Sequence, residues 1–177
     1  MGCMPGDTKS RILAVARELF VEQGVQNTSL RQISERLGLT KPALYYHFAS
    51  RDDLVRSIVQ PLIEDFQRFV DDREPAGGDP RRLLGDYFDL MWRHRDVIVM
   101  MVRDLSTLSH LDLGTRVFGW RRQIVALLLG PDLTREQHIR ATVALGGMSD
   151  CVVEYAELAL EEVKPTAVEA AAVALGI

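Results

Sequence analysis

Apolar residues in this sequence recur three and four positions apart, segment after segment. No stretch alternates apolar and polar residues for long, so the chain is restricted to helices packed on helices. Ile12, Ala16, Leu19 and Phe20, with Val15 beside them, mark a first helix from about Thr8 to Gln23, and Gly24 is placed to end it. A second, short helix starts near Thr28 or Ser29, turns Leu30, Ile33 and Leu37 inward and stops at Gly38. Thr40 offers a side-chain oxygen to cap a third helix. Its first turn accommodates Pro42, because the N–H that proline lacks has no helical partner there. Ser50 with Asp53 reads as a capping box for a fourth helix, which carries Leu54, Ile58, Leu62, Phe66 and Phe69 on one face. Pro61 inside that helix predicts a kink.

The clearest loop is Glu74-Pro-Ala-Gly-Gly-Asp-Pro80. Asp79 and Pro80 then open a fifth helix bearing Leu83, Leu84, Tyr87, Phe88, Met91 and Trp92. The unbroken apolar run from Val97 to Val102 predicts a sixth helix buried on all sides. A seventh carries Val117, Trp120, Ile124 and Leu128 and stops at Gly130-Pro131. Thr134 with Gln137 caps a long eighth, and Thr166 with Glu169 is expected to cap a short, alanine-rich ninth. The expected fold is all-α, with about nine helices.

Composition narrows the class. Hydrophobic residues make up 47% and charged residues 26%, the balance of a globular chain that can bury a sizeable core. No apolar run approaches the roughly 20 residues of a membrane span. The start MGCMPGDTKS lacks the apolar stretch of a signal peptide, and Gly6 stands where myristoylation of Gly2 would want Ser or Thr. A soluble, cytoplasmic protein with no membrane partner is expected. Cys3 and Cys151 alone make neither a disulfide framework nor a zinc site, and no cofactor or metal is implied.

The net charge of −4 argues at first against a polyanionic partner, but the charge is unevenly distributed. Residues 1–60 hold 8 Lys/Arg against 6 Asp/Glu, whereas the remainder holds 13 against 19. Within residues 28–51, Arg31, Arg36, Lys41 and Arg51 face Glu35 alone. Local potential decides where a polyanion docks. That segment reads TSLRQISERLGLTKPALYYHFASR, two short helices joined by Gly38-Leu39-Thr40. This is the pattern of a helix-turn-helix, in which the second helix enters the major groove of DNA. Ile33, Leu37, Leu39, Leu44 and Phe48 hold the pair together, which leaves Thr40, Lys41, Ala43, Tyr45, Tyr46 and His47 for the outer surface. A core-only reading would bury Tyr45 and Tyr46, and two adjacent tyrosines on one short helix cannot both point inward.

The first 55 or so residues resemble the N-terminal domain of the tetracycline-repressor (TetR) family. The resemblance is carried by Arg11-Ile-Leu, Glu18-Leu-Phe, Gly24-Val, Thr28-Ser-Leu-Arg-Gln-Ile, Ala43-Leu-Tyr-Tyr-His-Phe48 and Arg51-Asp-Asp-Leu. It implies a three-helix DNA-binding domain over 1–50, with the linking fourth helix starting at about 50. A helical ligand-binding and dimerisation domain over 51–177 would follow. It also implies roles. Thr28 and Ser29 would bond phosphate and Arg31 would reach a base edge. Thr40, Lys41 and Ala43 would face the groove, and Tyr45 would touch a base or sugar. Tyr46 and His47 would touch phosphate, and Arg51 would clamp a further one. Pro42 departs from the small residue that many relatives carry, and so leaves base readout at 41–43 open. The implied partners are a palindromic double-stranded operator, a small-molecule effector and a second copy of the chain. The implied activity is a repressor that releases its operator on binding a mostly apolar ligand.

For the dimer face, the last two long helices offer Ile139, Val143, Gly147, Val168 and Ala172, with Gly146 and Gly147 permitting close approach. The alternative is that these helices merely close the monomer core. Candidate pocket residues are Tyr87, Met91, Trp92, Met101, Phe118, Trp120, Arg121, Asp150, Glu154 and Tyr155, although the same side-chain types also build ordinary cores. Acidic residues beside aromatics would suit a cationic apolar ligand. An enzyme is not expected: His47, His94, His110 and His138 stand apart, Ser149-Asp150-Cys151 has no evident histidine partner, and neither glycine pair makes a phosphate loop. A partner-binding helical protein, or a regulator of DNA that senses no ligand, remains the alternative.

Overall fold

The computed structural model describes residues 5–73, 78–103 and 113–177. Among the described residues there are nine helices and no strand. In chain order they are α1 (Pro5–Gln23), α2 (Leu30–Leu37), α3 (Lys41–His47), α4 (Arg51–Asp71), α5 (Pro80–Arg93), α6 (Arg95–Arg103), α7 (Leu113–Leu129), α8 (Arg135–Glu154) and α9 (Leu160–Leu175). Helices α1 to α3 pack with the start of α4 to form the head. Helix α5 runs through the body, against α4, α6, α7, α8 and α9, and buries Leu84, Tyr87, Phe88, Leu90, Met91 and Trp92. The apolar side chains of head and body form one continuous core, from Ile12 to Leu175.

The caps explain where most helices start. At α2 the Ser29 Oγ accepts the Gln32 N–H at 3.2 Å, and the Gln32 Oε1 accepts the Ser29 N–H at 2.8 Å. Two donors that the first turn would leave without partners are thereby satisfied. Gly38 closes the helix at φ +65°, and the Leu39 N–H then reaches Ser34 O at 2.9 Å. The Thr40 hydroxyl caps α3 through the Ala43 N–H at 3.3 Å, and Pro42 occupies the first turn. The Ser50 Oγ accepts the Asp53 N–H at 3.1 Å, but the Asp53 carboxylate reaches back one residue further than a capping box would, to the Ala49 N–H at 3.3 Å. The Asp79 carboxylate accepts the Arg81 N–H at 2.9 Å and so opens α5. Positions 74–77 of the expected loop, like Gly2, Cys3 and His110, lie outside the described residues.

Three expectations need correction or refinement. Helix α6 is not buried all round: Val97, Val99, Met100 and Met101 are buried, whereas Val102 is 51% exposed and Ile98 half-buried. The last helix begins at Leu160, six residues before Thr166, so Thr166 is an exposed residue inside α9 and no cap. The early turns of α9 are held by packing: Val163 is buried, and the Lys164 ammonium pairs with Asp89 of α5 at 2.7 Å. These contacts offset the backbone bond that Pro165 removes. Helix α4 continues from Arg51 to Asp71 through Pro61, whose ring is exposed.

Candidate nucleic-acid interface and ligand cavity

Helix α3 is anchored by Leu44 and by Phe48 at its C-cap, each 1% exposed. Its other side projects outward: Thr40, Lys41 and Pro42 are exposed, Ala43 and His47 are half-buried, and Tyr45 and Tyr46 are 53% and 83% exposed. The Tyr46 and His47 rings meet edge-on at 5.2 Å. No hydrogen bond or ion pair within the described residues engages the polar tips of Lys41, Tyr45 or Tyr46. Seven residues, capped at both ends, therefore present a cation and two phenols on one surface with their donors unspent.

Flanking residues divide into those that face outward and those that position. Ser29 is exposed beside the α2 N-terminus. Arg31 is exposed and pairs with Glu35 one turn on at 2.6 Å, a bond that raises its pKa further. Exposed pairs of this kind are weak and screened, so the guanidinium can exchange Glu35 for a phosphate or a base edge. Thr28 is a correction. It is 1% exposed, and its Oγ1 lies 2.8 Å from Gly24 O, within bonding distance of Gln23 Nε2 at 3.1 Å. It fastens the α1–α2 corner and offers nothing to phosphate. Only one residue can cap α2; Ser29 takes that place, and its neighbour turns inward. Arg51 is half-buried and donates to Val25 O at 3.3 Å, Gln26 O at 3.2 Å and Gln26 Oε1 at 3.1 Å. It ties the start of α4 to the α1–α2 loop. These bonds give it a positioning part within the head. Gln26, Asn27, Ser50 and Asp52 line the shallow depression beside it, and of these the sequence singled out Ser50 alone, as a helix cap.

In the body, a cavity of about 290 Å³ opens between α4, α5, α6, α7 and α8. Of the expected lining, Tyr87, Met91, Met101, Phe118, Trp120 and Arg121 meet there. The other four do not. Trp92 is 5% exposed and stacks on Phe88 at 5.6 Å, while Asp150, Glu154 and Tyr155 lie on the outer surface at the far end of α8. Leu62 and Phe66 of α4, Ile98 and Val102 of α6, Leu113, Gly114, Val117 and Ile124 of α7, and Ser149 of α8 complete the wall. The missed α7 residues had a signal. Leu113, Val117, Trp120 and Ile124 follow helical spacing, and Gly114, Phe118 and Arg121 follow one position on. On α8 the residue that faces inward is Ser149 and not its neighbour Asp150, which lies about 100° further round the helix.

The polar groups of the cavity form one small cluster. Arg121 Nη2 donates to Ser149 Oγ at 3.0 Å, and the Ser149 hydroxyl donates to Leu145 O at 2.9 Å. The buried Tyr87 phenol is raised above its ordinary pKa by desolvation, opposed by the nearby Arg121 charge and by hydrogen bonding to Ser149 and Arg121. It is therefore neutral at neutral pH. Phe66 stacks on Trp120 at 5.2 Å, and the Trp120 indole N–H is engaged by Gln67 Oε1 at 3.2 Å. Among the described residues the wall holds no carboxylate, and its charged side chain is Arg121. The acidic residues behind the expectation of a cationic ligand, Asp150 and Glu154, are not part of this wall.

On α8, Ile139 (59% exposed), Val143 (62%) and Gly147 form an outward stripe, with Val173 of α9 64% exposed. A Cβ added at Gly146 or Gly147 would meet nothing within 4 Å, so the glycines serve no close contact among the described residues. Val168 is half-buried against the core. Ala172 is 0% exposed and belongs to the core of the single chain, which removes it from any dimer face. Among the described residues no group of three His, Cys, Asp or Glu side chains could hold a metal ion, and no helix is long and apolar enough to cross a membrane. His94 bonds Asp65 at 2.8 Å and so ties the end of α5 to α4. Cys151 is half-buried, and burial together with Asp150 raises its thiol pKa.

Residues 12–58 match the family model described as bacterial regulatory proteins, tetR family. The chain is 44% identical over 52 residues to the HTH-type transcriptional regulator AcrR of Shigella flexneri, which is 29% of this chain and 24% of that protein. It is 27% identical over 116 residues to the HTH-type transcriptional repressor KstR2 of Mycobacterium tuberculosis, 62% of this chain and 58% of that one. The chain thus spans less than two thirds of the length of these relatives. Among solved structures, a transcriptional regulator from Aquifex aeolicus VF5 superposes with a TM-score of 0.77 at 24% identity, covering 94% of this chain and 98% of that one. The ketosteroid transcriptional regulator KstR2 of Mycobacterium tuberculosis superposes with a TM-score of 0.70 at 18% identity, covering 98% and 95%. At these identities the likeness speaks for the fold.

Proposed function

We propose that the chain, whose residues 12–58 match the tetR family of bacterial regulatory proteins, is a dimeric, non-enzymatic repressor of that family whose hold on its operator is set by a small molecule in the body cavity. The observation that carries this reading is the outward face of α3, where Lys41, Tyr45 and Tyr46 stand exposed with no partner in the described chain. In a duplex complex α3 lies in the major groove. Thr40, Lys41 and Ala43 sit at the base edges, Tyr45 at a base or sugar, and Ser29, Tyr46 and His47 at the backbone, with Arg31 released from Glu35. Two copies joined across the Ile139–Val143–Gly147 stripe and Val173 would read half-sites about 34–36 Å apart, one turn of DNA.

Two helices physically join cavity and head. Helix α4 lines the cavity with Leu62 and Phe66, and its first residue, Arg51, holds the α1–α2 loop. Helix α6 lines it with Ile98, Met101 and Val102, and its last residue, Arg103, donates to Val21 O of α1 at 2.9 Å. A ligand that prefers one placement of these helices biases the head by the difference in its affinity for the two placements, typically about 1–3 kcal/mol. The test is a mobility shift with the duplex upstream of the protein's own gene. The intact protein should retard it as a dimer, and a Tyr45→Ala/Tyr46→Ala variant should not. Equal retardation by that variant, or no complex at low salt, refutes the reading.

A further inference from the structure

Building on the reading of the cavity as an effector site, we propose that the molecule it takes is an apolar carboxylate, with its acid group on Arg121 and its hydrocarbon body against Phe66, Met101 and Trp120. Among the described residues the charge in the wall has one sign. A guanidinium is permanently ionised, and among the described residues no carboxylate lies within ion-pair distance of Arg121. Its own helix, α7, holds Arg116, Arg121 and Arg122 and no acidic residue. Among the described residues its hydrogen-bonding partners are neutral hydroxyls, Ser149 at 3.0 Å and the buried Tyr87. Ser149 commits its hydrogen to Leu145 O at 2.9 Å, so toward Arg121 it acts only as an acceptor.

A half-buried guanidinium has five N–H donors in a planar fork, which a carboxylate matches with two parallel bonds. In a water-poor cavity that match is worth more than in solution. A neutral alcohol gains one ordinary hydrogen bond at the same place, and an ammonium meets repulsion. The rest of the wall does not compete for the acid: the Trp120 N–H is taken by Gln67 at 3.2 Å, so the indole presents its ring. A cavity of about 290 Å³ lies at the small end of ligand pockets, about 300–1,000 Å³, which suits a small or medium-chain acid.

The experiment titrates the intact protein with octanoate, octanol and octylammonium, following both thermal unfolding and heat of binding, for wild type and Arg121→Met. Octanoate should bind tightest, octanol more weakly and octylammonium not measurably. Arg121→Met should weaken octanoate roughly ten- to hundredfold, the equivalent of one charged hydrogen-bonding partner, and octanol only by the few-fold of one ordinary hydrogen bond. Retained octanol binding shows that the variant is folded. If it does not fold, the order of the three compounds on wild type decides alone. Octanol or octylammonium binding wild type as tightly as octanoate, an undiminished octanoate response in Arg121→Met, or no binding by any of the three overturns the proposal. Duplex binding measured on the same sample separates the two readings. Loss of the acid preference with DNA binding intact refutes only the ligand class, and absence of DNA binding refutes the regulator reading itself.

Discussion

Replacing Arg51 by alanine distinguishes a residue that holds the head together from one that touches DNA. The guanidinium donates three bonds to the α1–α2 loop, at 3.3, 3.2 and 3.1 Å. All are longer than the about 2.7–2.9 Å of strong charge-assisted bonds, so each belongs at the low end of the range, about 0.5–1 kcal/mol net. The sum is about 1.5–3 kcal/mol. At about 2–4 °C per kcal/mol for a chain of this size, the melting temperature should fall by roughly 3–12 °C. Ser29 and α2 are held in place by the same loop, so duplex affinity should fall as well. The salt dependence should not, because no phosphate contact is lost. The assay is fluorescence anisotropy with one duplex at several salt concentrations, beside thermal melts. An unchanged melting temperature, together with a log–log salt slope shallower by about 0.9 per protomer, would mean that Arg51 grips phosphate and that its positioning part is wrong.

Three further outcomes are expected. Gly38→Ala should destabilise the protein in urea by about 1–2 kcal/mol, the cost of a left-handed alanine: Gly38 sits at φ +65° and an added Cβ meets nothing within 4 Å, so the loss is one of backbone alone. Gly38→Asn should lose less, and no loss in either variant would contradict the turn. The Asp65 carboxyl is held below its usual range chiefly by the hydrogen bond from His94, against an opposing burial effect and with help from the His94, Arg68 and Arg93 charges. A depressed carboxylate stabilises above its unfolded value and is lost as pH falls through its folded one. Asp65→Asn should therefore melt below wild type at pH 7, with the gap closing below about pH 4; a gap that persists undiminished to pH 3 would contradict the pairing. Arg103→Ala should leave duplex affinity of the ligand-free protein nearly unchanged and reduce ligand-induced release in a mobility shift, and full release would remove α6 from the coupling.

Much of this fold was legible in the sequence because its helix ends carry their own chemistry. Ser29, Thr40, Ser50, Asp79 and Thr134 each supply the oxygen that starts a helix, and Gly38 adopts the positive φ that ends one. The α3 face was legible for the same reason: once Leu44 and Phe48 are committed to the core, two adjacent tyrosines have only the outside. Rotational phase was harder to read. One residue turns a helix position by about 100°, so Ser149 faces the cavity where Asp150 was expected, and Val173 faces outward where Ala172 was expected. In α9 the exposed stripe of Glu162, Thr166 and Glu169 carries no polar residue past 169, and its continuation is Val173, so only a helix begun at Leu160 shows the phase. Pro165-Thr166 imitates a helix start there, while Val163 and the Lys164–Asp89 pair extend the helix past it. Thr28 and Arg51 carry side chains that would suit phosphate, and only the path of the α1–α2 corner shows that both are used internally.

The central claim is that the polar side of α3 is the surface that meets a duplex. Amide hydrogen exchange on the intact protein, with and without a saturating duplex from upstream of its own gene, tests it directly. The account predicts slowed exchange over residues 40–47 and at the start of α2, with the α8–α9 surface unchanged. Protection confined to α8 and α9, or none anywhere under conditions where the duplex is bound, would contradict it.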